Sequence, residues 1–315
     1  MNRNHQILAV ILAIQLALSV IVLWPKPATT GESEPFFPDL QAIDIVALTI
    51  TDNQGKAITL RQVAGNWVLP EADDFPAKAD SITPVLDKIV GLNTERLVTR
   101  TDASHKRLQV AEDDFMRCVD METAGGAKHT FYVGSSPRYG ASHVRVDGRS
   151  ETYLTNDLTA WELNVNAASW VDSIYFGVER DQLTEVILEN ANGTFAFTKD
   201  DEGNWSLAGL AAGEHLSADK VNGLVNQASS VTLTKPLGKQ KLAEYRLDTP
   251  QAVVTLKTAE QTVTLLIGAQ DPDDNSYVVH VSTSPYYVGV AEYNAKPLIE
   301  DAYSDFLEPE VTPTP

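Results

Sequence analysis

The chain has 315 residues, 43% of them hydrophobic and 21% charged, with a formal net charge of -19. That length exceeds what one hydrophobic core usually organises, and the composition is that of a folded protein, so two domains are expected and a disordered chain is excluded. The acidic balance repels phosphate backbones and argues against nucleic-acid binding, and a single cysteine, Cys118, excludes an intrachain disulfide and a multi-cysteine metal site.

Residues Ile7 to Trp24 form an uncharged run of 18 whose only polar members are Gln15 and Ser19. As a helix it would cover roughly 27 Å, close to the hydrocarbon thickness of a bilayer. Trp24 takes the place of an interfacial aromatic and Pro25 stops the helix. A cleaved signal peptide is the alternative, but the run is longer than the usual apolar region of one and no clear small-x-small site follows. Arg3 precedes the run and only Lys26 follows it closely, so residues 1–24 are expected to be a cytoplasmic N-terminus and a single transmembrane helix, with the remainder extracytoplasmic. Pro25, Pro27, Pro35 and Pro38 then mark residues 25–41 as a semi-extended spacer.

Beyond the spacer the chain repeats itself. Gly65-Asn66-Trp67-Val68-Leu69 returns as Gly203-Asn204-Trp205-Ser206-Leu207, an offset of 138 residues (205 minus 67). Ala79-Asp80 returns as Ala218-Asp219, Arg107-Leu108 as Arg246-Leu247, and Phe131-Tyr132-Val133-Gly134 as Leu265-Leu266-Ile267-Gly268. Each half opens with a hairpin pattern: Ile45–Ile50 and Ala57–Leu60 around a turn in the first, Val186–Leu188 and Thr194–Phe197 around Asn192-Gly193 in the second. A helix follows, with apolar residues Ile82, Val85, Leu86 and Ile89 in one half and Val221, Leu224, Val225 and Ala228 in the other. Ser81 and Ser217 are placed as N-caps, Pro84 in the first turn, and Gly91 at the end.

Short strands close each half: Thr130–Val133, Val144–Val146 and Thr152–Leu154, then Val263–Ile267, Tyr277–Val281 and Tyr286–Val288. The class is therefore α+β, an N-terminal transmembrane helix followed by two tandem repeats, each an antiparallel sheet packed with one main helix. Repeat 1 is placed at 42–175 and repeat 2 at 176–307, with a helical connector around Leu158 to Ile174 and a disordered tail at 308–315.

The combination resembles the bacterial family called domain of unknown function 4340: a membrane helix, then GNWxL, an Ala-Asp helix, an Arg-Leu or Tyr-Arg-Leu lead-in such as Tyr245-Arg246-Leu247, and an apolar strand ending in Gly, all but the membrane helix present twice. The resemblance covers roughly residues 42 to 307. It implies a membrane-anchored protein, often encoded beside ABC-type transporters related to gliding-motility systems, and carries over no activity or catalytic residue.

No catalytic, cofactor-binding or metal-ligating residue is assigned from the sequence, and no cofactor is expected. His105, His129, His143, His215 and His280 show no paired metal spacing, although His143 and His280 fall in corresponding strands. Gly134-Ser135-Ser136-Pro137 lacks the spacing of a nucleophile elbow, and Asp271, Asp273, Asp274 and Asn275 lack the order and distal Glu of a calcium loop. Cys118 lies in an apolar alternating run suited to a buried inert thiol. Asp113-Asp114 and Asp200-Asp201 are adjacent, so on a strand they would face opposite ways. Tyr277, Tyr286, Tyr287, Tyr293 and Tyr303 crowd the last part of the chain and are the best argument for binding, although alternation turns some of them inward. Trp67 and Trp205 read as packing residues. The expectation is a membrane-tethered extracytoplasmic scaffold or accessory protein of an envelope complex, associated with an ABC-type transporter, with protein partners and no catalysis. A binding module for a small solute or envelope polysaccharide is the alternative.

Overall fold

A computed structural model describes residues 33–309 and Gln15. The expected membrane segment, Ile7 to Trp24, lies outside the described residues apart from Gln15, and no helix among those described is long and apolar enough to cross a membrane.

The first half runs β1 (Ile45–Asp52), β2 (Ala57–Val63), β3 (Asn66–Leu69), β4 (Phe75–Pro76), α1 (Ala79–Val90), β5 (Leu97–Thr99), α2 (His105–Leu108), β6 (Val110–Ala111), β7 (Asp114–Phe115), β8 (Arg117–Thr123), β9 (Lys128–Val133), β10 (Ser142–Val146) and β11 (Thr152–Thr155). Its large sheet has the order β4-β3-β2-β1-β8-β9-β10-β11-β5, with antiparallel neighbours throughout. The β1–β2 turn closes because the Asp52 carboxylate accepts from the backbone of both Gln54 and Lys56 at 2.9 Å. Alternation places Ile45, Leu48 and Ile50 of β1 inward, and α1 lays Ile82, Val85, Leu86 and Ile89 against that face.

The second half runs β12 (Ile174–Gly177), β13 (Leu183–Asn190), β14 (Gly193–Lys199), β15 (Trp205–Leu207), α3 (Ala218–Ser229), β16 (Ser230–Gly238), β17 (Ala252–Thr258), β18 (Thr262–Gln270), β19 (Tyr277–Val281), β20 (Tyr287–Val290) and α4 (Glu292–Glu300). Read from the far edge, its sheet is β15-β14-β13-β17-β18-β19-β20-β16-β12, whose first eight strands retrace β3-β2-β1-β8-β9-β10-β11-β5 in order. The copies therefore share one topology. The second adds α4, packed on α3 and β13, where a single main helix was expected.

The structure moves several boundaries. Phe36, Phe37 and Leu40 are buried, so the last part of the expected 25–41 spacer is built into the first sheet's core. Thr94 N donates to Glu34 O, and at the matching place Leu233 N donates to Ser173 O, both at 2.9 Å. Each copy thus begins with an edge segment, Glu34–Phe36 or β12, paired to the chain that leaves its helix. Each copy ends on a cap: Lys78 N donates to Trp170 O at 2.7 Å and Ser217 N to Phe306 O at 2.8 Å. The expected connector helix around Leu158 to Ile174 is instead turns, one short 3-10 segment at Ala167–Ser169 and the start of β12, since its buried residues Leu158, Leu163, Val165 and Trp170 lack helical spacing. In the region expected to be a disordered tail, Glu308 N donates to His215 O; residues 310–315 lie outside the described ones. Helix α1 starts two residues before Ser81, so Lys78 is its N-cap and Pro84 falls beyond the first turn; neither Lys78 nor Ser217 makes a side-chain cap bond.

On the sheet face away from the helix, each copy carries a folded-over loop. Leu108 and Val110 cover Tyr132 in the first, and Tyr245 and Leu247 cover Tyr287 and Val278 in the second. Left-handed Gln109 (φ 55°) and Arg246 (φ 52°) turn the loops in. Those residues align Leu108 with Tyr245, so the Arg-Leu pairs suggested by sequence are out of register by two. The match of Gly134 with Gly268 holds, and it has a steric reason. A Cβ on Gly134 would lie 2.1 Å from Leu108 O, and one on Gly268 2.1 Å from Tyr245 O.

Gly134→Ala and Gly268→Ala are each expected to lower stability by about 1–3 kcal/mol, because a carbonyl must move. Gly223→Ala, in the open interior of α3, should raise it by about 0.5–1 kcal/mol. Urea unfolding midpoints at constant slope check both signs.

Candidate functional site

The copies meet head to tail, the β3–β4 end of the first against the β16 edge of the second. A turn built from Glu71 to Phe75 makes the joint. Asp73 (φ 54°) and Asp74 (φ 60°) are both left-handed, a conformation that non-glycine residues seldom take and that the surroundings must hold. Here the holders belong to the other copy. Lys239 N donates to Asp73 Oδ2 at 2.7 Å, and the Tyr286 hydroxyl donates to Asp74 O at 2.8 Å. Phe75 meets the Tyr286 ring edge-on at 4.7 Å, and Lys239 Nζ sits 4.8 Å over that ring. Gly238 passes so close that a Cβ there would lie 2.6 Å from Asp73 Oδ2. Buried side chains run from Phe36 through this joint to Phe306 as one connected core.

Beside the joint lies a cleft of about 460 Å³ whose walls come from both copies and from the chain between them. Ile58, Leu69 and Val165 give it an apolar side, Lys56 and Glu71 stand at it, and Lys235 and Asp274 come from the second copy. A larger groove of about 870 Å³ lies against Phe37 and the turns after β8 and β10, within the first copy alone.

The acidic loop singled out in the sequence lines the cleft, and it already holds a cation. Lys235 Nζ donates to Asp271 and, at 2.8 Å, to Asp274 Oδ2. Burial pushes the Asp274 carboxyl up, but hydrogen bonds from Lys235 and Ser276 outweigh it and hold the group down at about 2. Burial also pushes the Lys235 ammonium down, and the two carboxylates outweigh that in turn, leaving it above its ordinary value. Such an amine stays protonated at neutral pH and is no nucleophile. Thr234 lines the same cleft, and its buried hydroxyl has no hydrogen-bond partner among the described residues.

Other flagged residues have structural partners. His280 and Arg145, not His143, occupy matching places: His280 stacks on Tyr287 at 4.6 Å and the Arg145 guanidinium sits 4.6 Å over Tyr132. With its proton on Leu108 O at 3.1 Å, Ser135 can only accept from His143 Nδ1, also 3.1 Å away, so that imidazole is a poor base toward it. Ser136 bonds to carbonyls of its own loop. Asp113 pairs with Lys106 at 2.6 Å, and Asp200 accepts from the backbone of Glu202 and Asn204. Among the described residues no group of three or more His, Cys, Asp or Glu side chains is placed to hold a metal.

The C-terminal tyrosines do not form one exposed face. Tyr277 and Tyr287 are buried, Tyr286 serves the joint, Tyr303 donates to Glu214, and Tyr293 stands exposed. Sequence reasoning missed the joint itself. The only signal for it was the local Asp-Asp-Phe-Pro string, which reads as an ordinary loop.

A family model described as "Domain of unknown function (DUF4340)" matches twice, over residues 67–217 and 213–313. No curated protein matches, and no solved structure matches.

Lys235→Met is expected to cost about 1–2 kcal/mol, the low end for hydrogen bonds to charged groups because the site is partly exposed. It should also let the Asp274 carboxyl titrate well above 2, seen by side-chain NMR titration. Burial first, then the charges of Asp120 and Asp147, push the Cys118 thiol up to about 12. Alkylation of the folded protein at pH 8 should accordingly be at least about tenfold slower than that of the urea-unfolded chain, measured by mass shift with iodoacetamide.

Proposed function

The chain belongs to the domain of unknown function 4340 family, in two tandem segments, and from that premise we propose that it is a membrane-tethered extracytoplasmic scaffold or accessory protein of an envelope complex, associated with an ABC-type transporter and doing no bond chemistry of its own. The observation that carries this reading is the joint. Two copies of one unit are joined head to tail through a left-handed turn and a shared core, an arrangement that suits a support better than modules left on a linker. Large aromatics stand on its outside: Trp161 is 88% exposed and Tyr139 fully exposed. Such side chains are favoured anchors at protein interfaces. The apolar run Ile7 to Trp24 supports the tether, with the folded copies on the far side from Arg3.

A second reading, a small-solute site in the cleft between copies, is favoured by the unpartnered Thr234 hydroxyl and the mixed lining. Burial of Tyr287 and use of Tyr286 in the joint weaken its polysaccharide form.

Extraction of native membranes in mild detergent followed by lysine crosslinking tests the scaffold. The full chain is expected in the membrane fraction after carbonate washing and in a reproducible assembly larger than the monomer. Recovery of monomer alone, or release by carbonate, counts against it.

A further inference from the structure

We propose that the cleft beside the joint binds a small zwitterion, a solute that joins one ammonium and one carboxylate to an aliphatic side chain. A free aliphatic amino acid and a short aliphatic peptide share that chemistry. The proposal rests on the second reading above and names the class of solute.

Four segments meet at the cleft: the start of β2, the turn after β3, the link around Val165, and β16 of the second copy. Its volume of about 460 Å³ lies within the range of small-solute sites. The apolar side is aliphatic, with Ile58, Leu69 and Val165, and among the described residues no aromatic side chain lines it. Such a wall accepts a branched hydrocarbon group and offers no ring for a sugar or a base to stack on.

The charged side chains of the lining fall into two kinds. Lys235 and Asp274 pair with each other, and Lys235 pairs also with Asp271. Ser276 adds two hydrogen bonds to Asp274, from its backbone at 3.0 Å and from its hydroxyl at 2.7 Å. That wall is already satisfied, and a ligand would have to break charge-assisted bonds to use it. Lys56 and Glu71, both exposed, are the other kind. Among the described residues neither side chain makes an ion pair or a hydrogen bond. The lining therefore keeps one cation and one anion without a partner, both supplied by the first copy.

A solute with a single charge would engage one of these groups and take water from the other without replacing it. A zwitterion engages both, its carboxylate toward Lys56 and its ammonium toward Glu71. Its hydrocarbon part then meets Ile58, Leu69 and Val165, a wall from which an inorganic ion would gain nothing.

Titration calorimetry on the full chain in mild detergent tests this with leucine, leucyl-leucine and three capped probes. N-acetyl-leucine keeps only the carboxylate, leucinamide only the ammonium, and N-acetyl-leucinamide neither. The expected result is saturable binding of leucine or leucyl-leucine, at least about tenfold tighter than that of any capped probe. Comparison of the two zwitterions separates an amino-acid site from a peptide site. Glu71→Gln should weaken the zwitterion by about tenfold and leave the weaker binding of N-acetyl-leucine unchanged; Lys56→Met should weaken it similarly and leave leucinamide unchanged. If Glu71→Gln lowers the urea midpoint, Lys56→Met and the capped probes decide. Zwitterion binding indifferent to both substitutions, or a probe with one charge bound as tightly as the zwitterion, overturns the proposal. N-acetyl-leucinamide bound as tightly as leucine defeats the zwitterion and leaves the cleft as a solute site; no binding of any probe defeats both.

Discussion

Asp73 and Asp74 adopt left-handed backbones, Asp73 as the cap of its own 3-10 turn, and Lys239 and Tyr286 of the neighbouring copy hold them with hydrogen bonds. Without those partners an Asp-Asp pair in this conformation would relax, since each residue costs of order 1–3 kcal/mol there. The relative placement of the copies follows from this contact. It brings the β3–β4 end of one sheet to the β16 edge of the next, creates the cleft, and lets the cores merge past Phe75, Trp170 and Leu69. A head-to-tail contact between equivalent units uses a different surface on each, so it always leaves one of each kind at the ends. Among the described residues, the last segment covers one end and the strand around Arg96 to Arg100 is exposed at the other.

Much of the fold was legible because it depended on local periodicity. The helical faces of α1 and α3 announced themselves at i, i+3, i+4 and i+7, and the repeated GNW turn fixed the strand after it. Gly134 and Gly268 could be matched by sequence because no other residue fits where a loop carbonyl crosses the strand. Features that depended on distant partners could not be read. Phe36 and Phe37 looked like part of a proline-marked spacer, and only the pairing of Glu34 with Thr94 draws them into the core. The acidic loop lacked the order of a calcium site, and nothing in its own residues reveals that Lys235, on another strand, pairs with it. Tyr286 and Tyr287 are neighbours in sequence, yet alternation sends one to the joint and the other under the folded-over loop.

The two copies differ most where their surroundings differ. On the face away from the helix, a cation over Tyr132 in one copy becomes an imidazole over Tyr287 in the other, from Arg145 and His280 at matching positions. Tyr132 is on β9 and Tyr287 on β20, so the two side chains lean toward opposite neighbours of their matching strands. At the strand after the helix, Arg96 and Lys235, like Arg100 and Lys239, keep their sign although one pair is exposed and the other engaged.

The caps bear on how the chain assembles as it is synthesised. Each unit is closed by its own final stretch, through Trp170 or Phe306 docked on the residue that precedes its helix. The N-terminal unit can therefore be complete while the other is still being translated, and the Glu71–Phe75 turn meets its partners only once β16 and Tyr286 have been made. Vectorial synthesis would thus produce a finished platform first and dock the later module onto it, an order set by where the closing residues fall along the polypeptide.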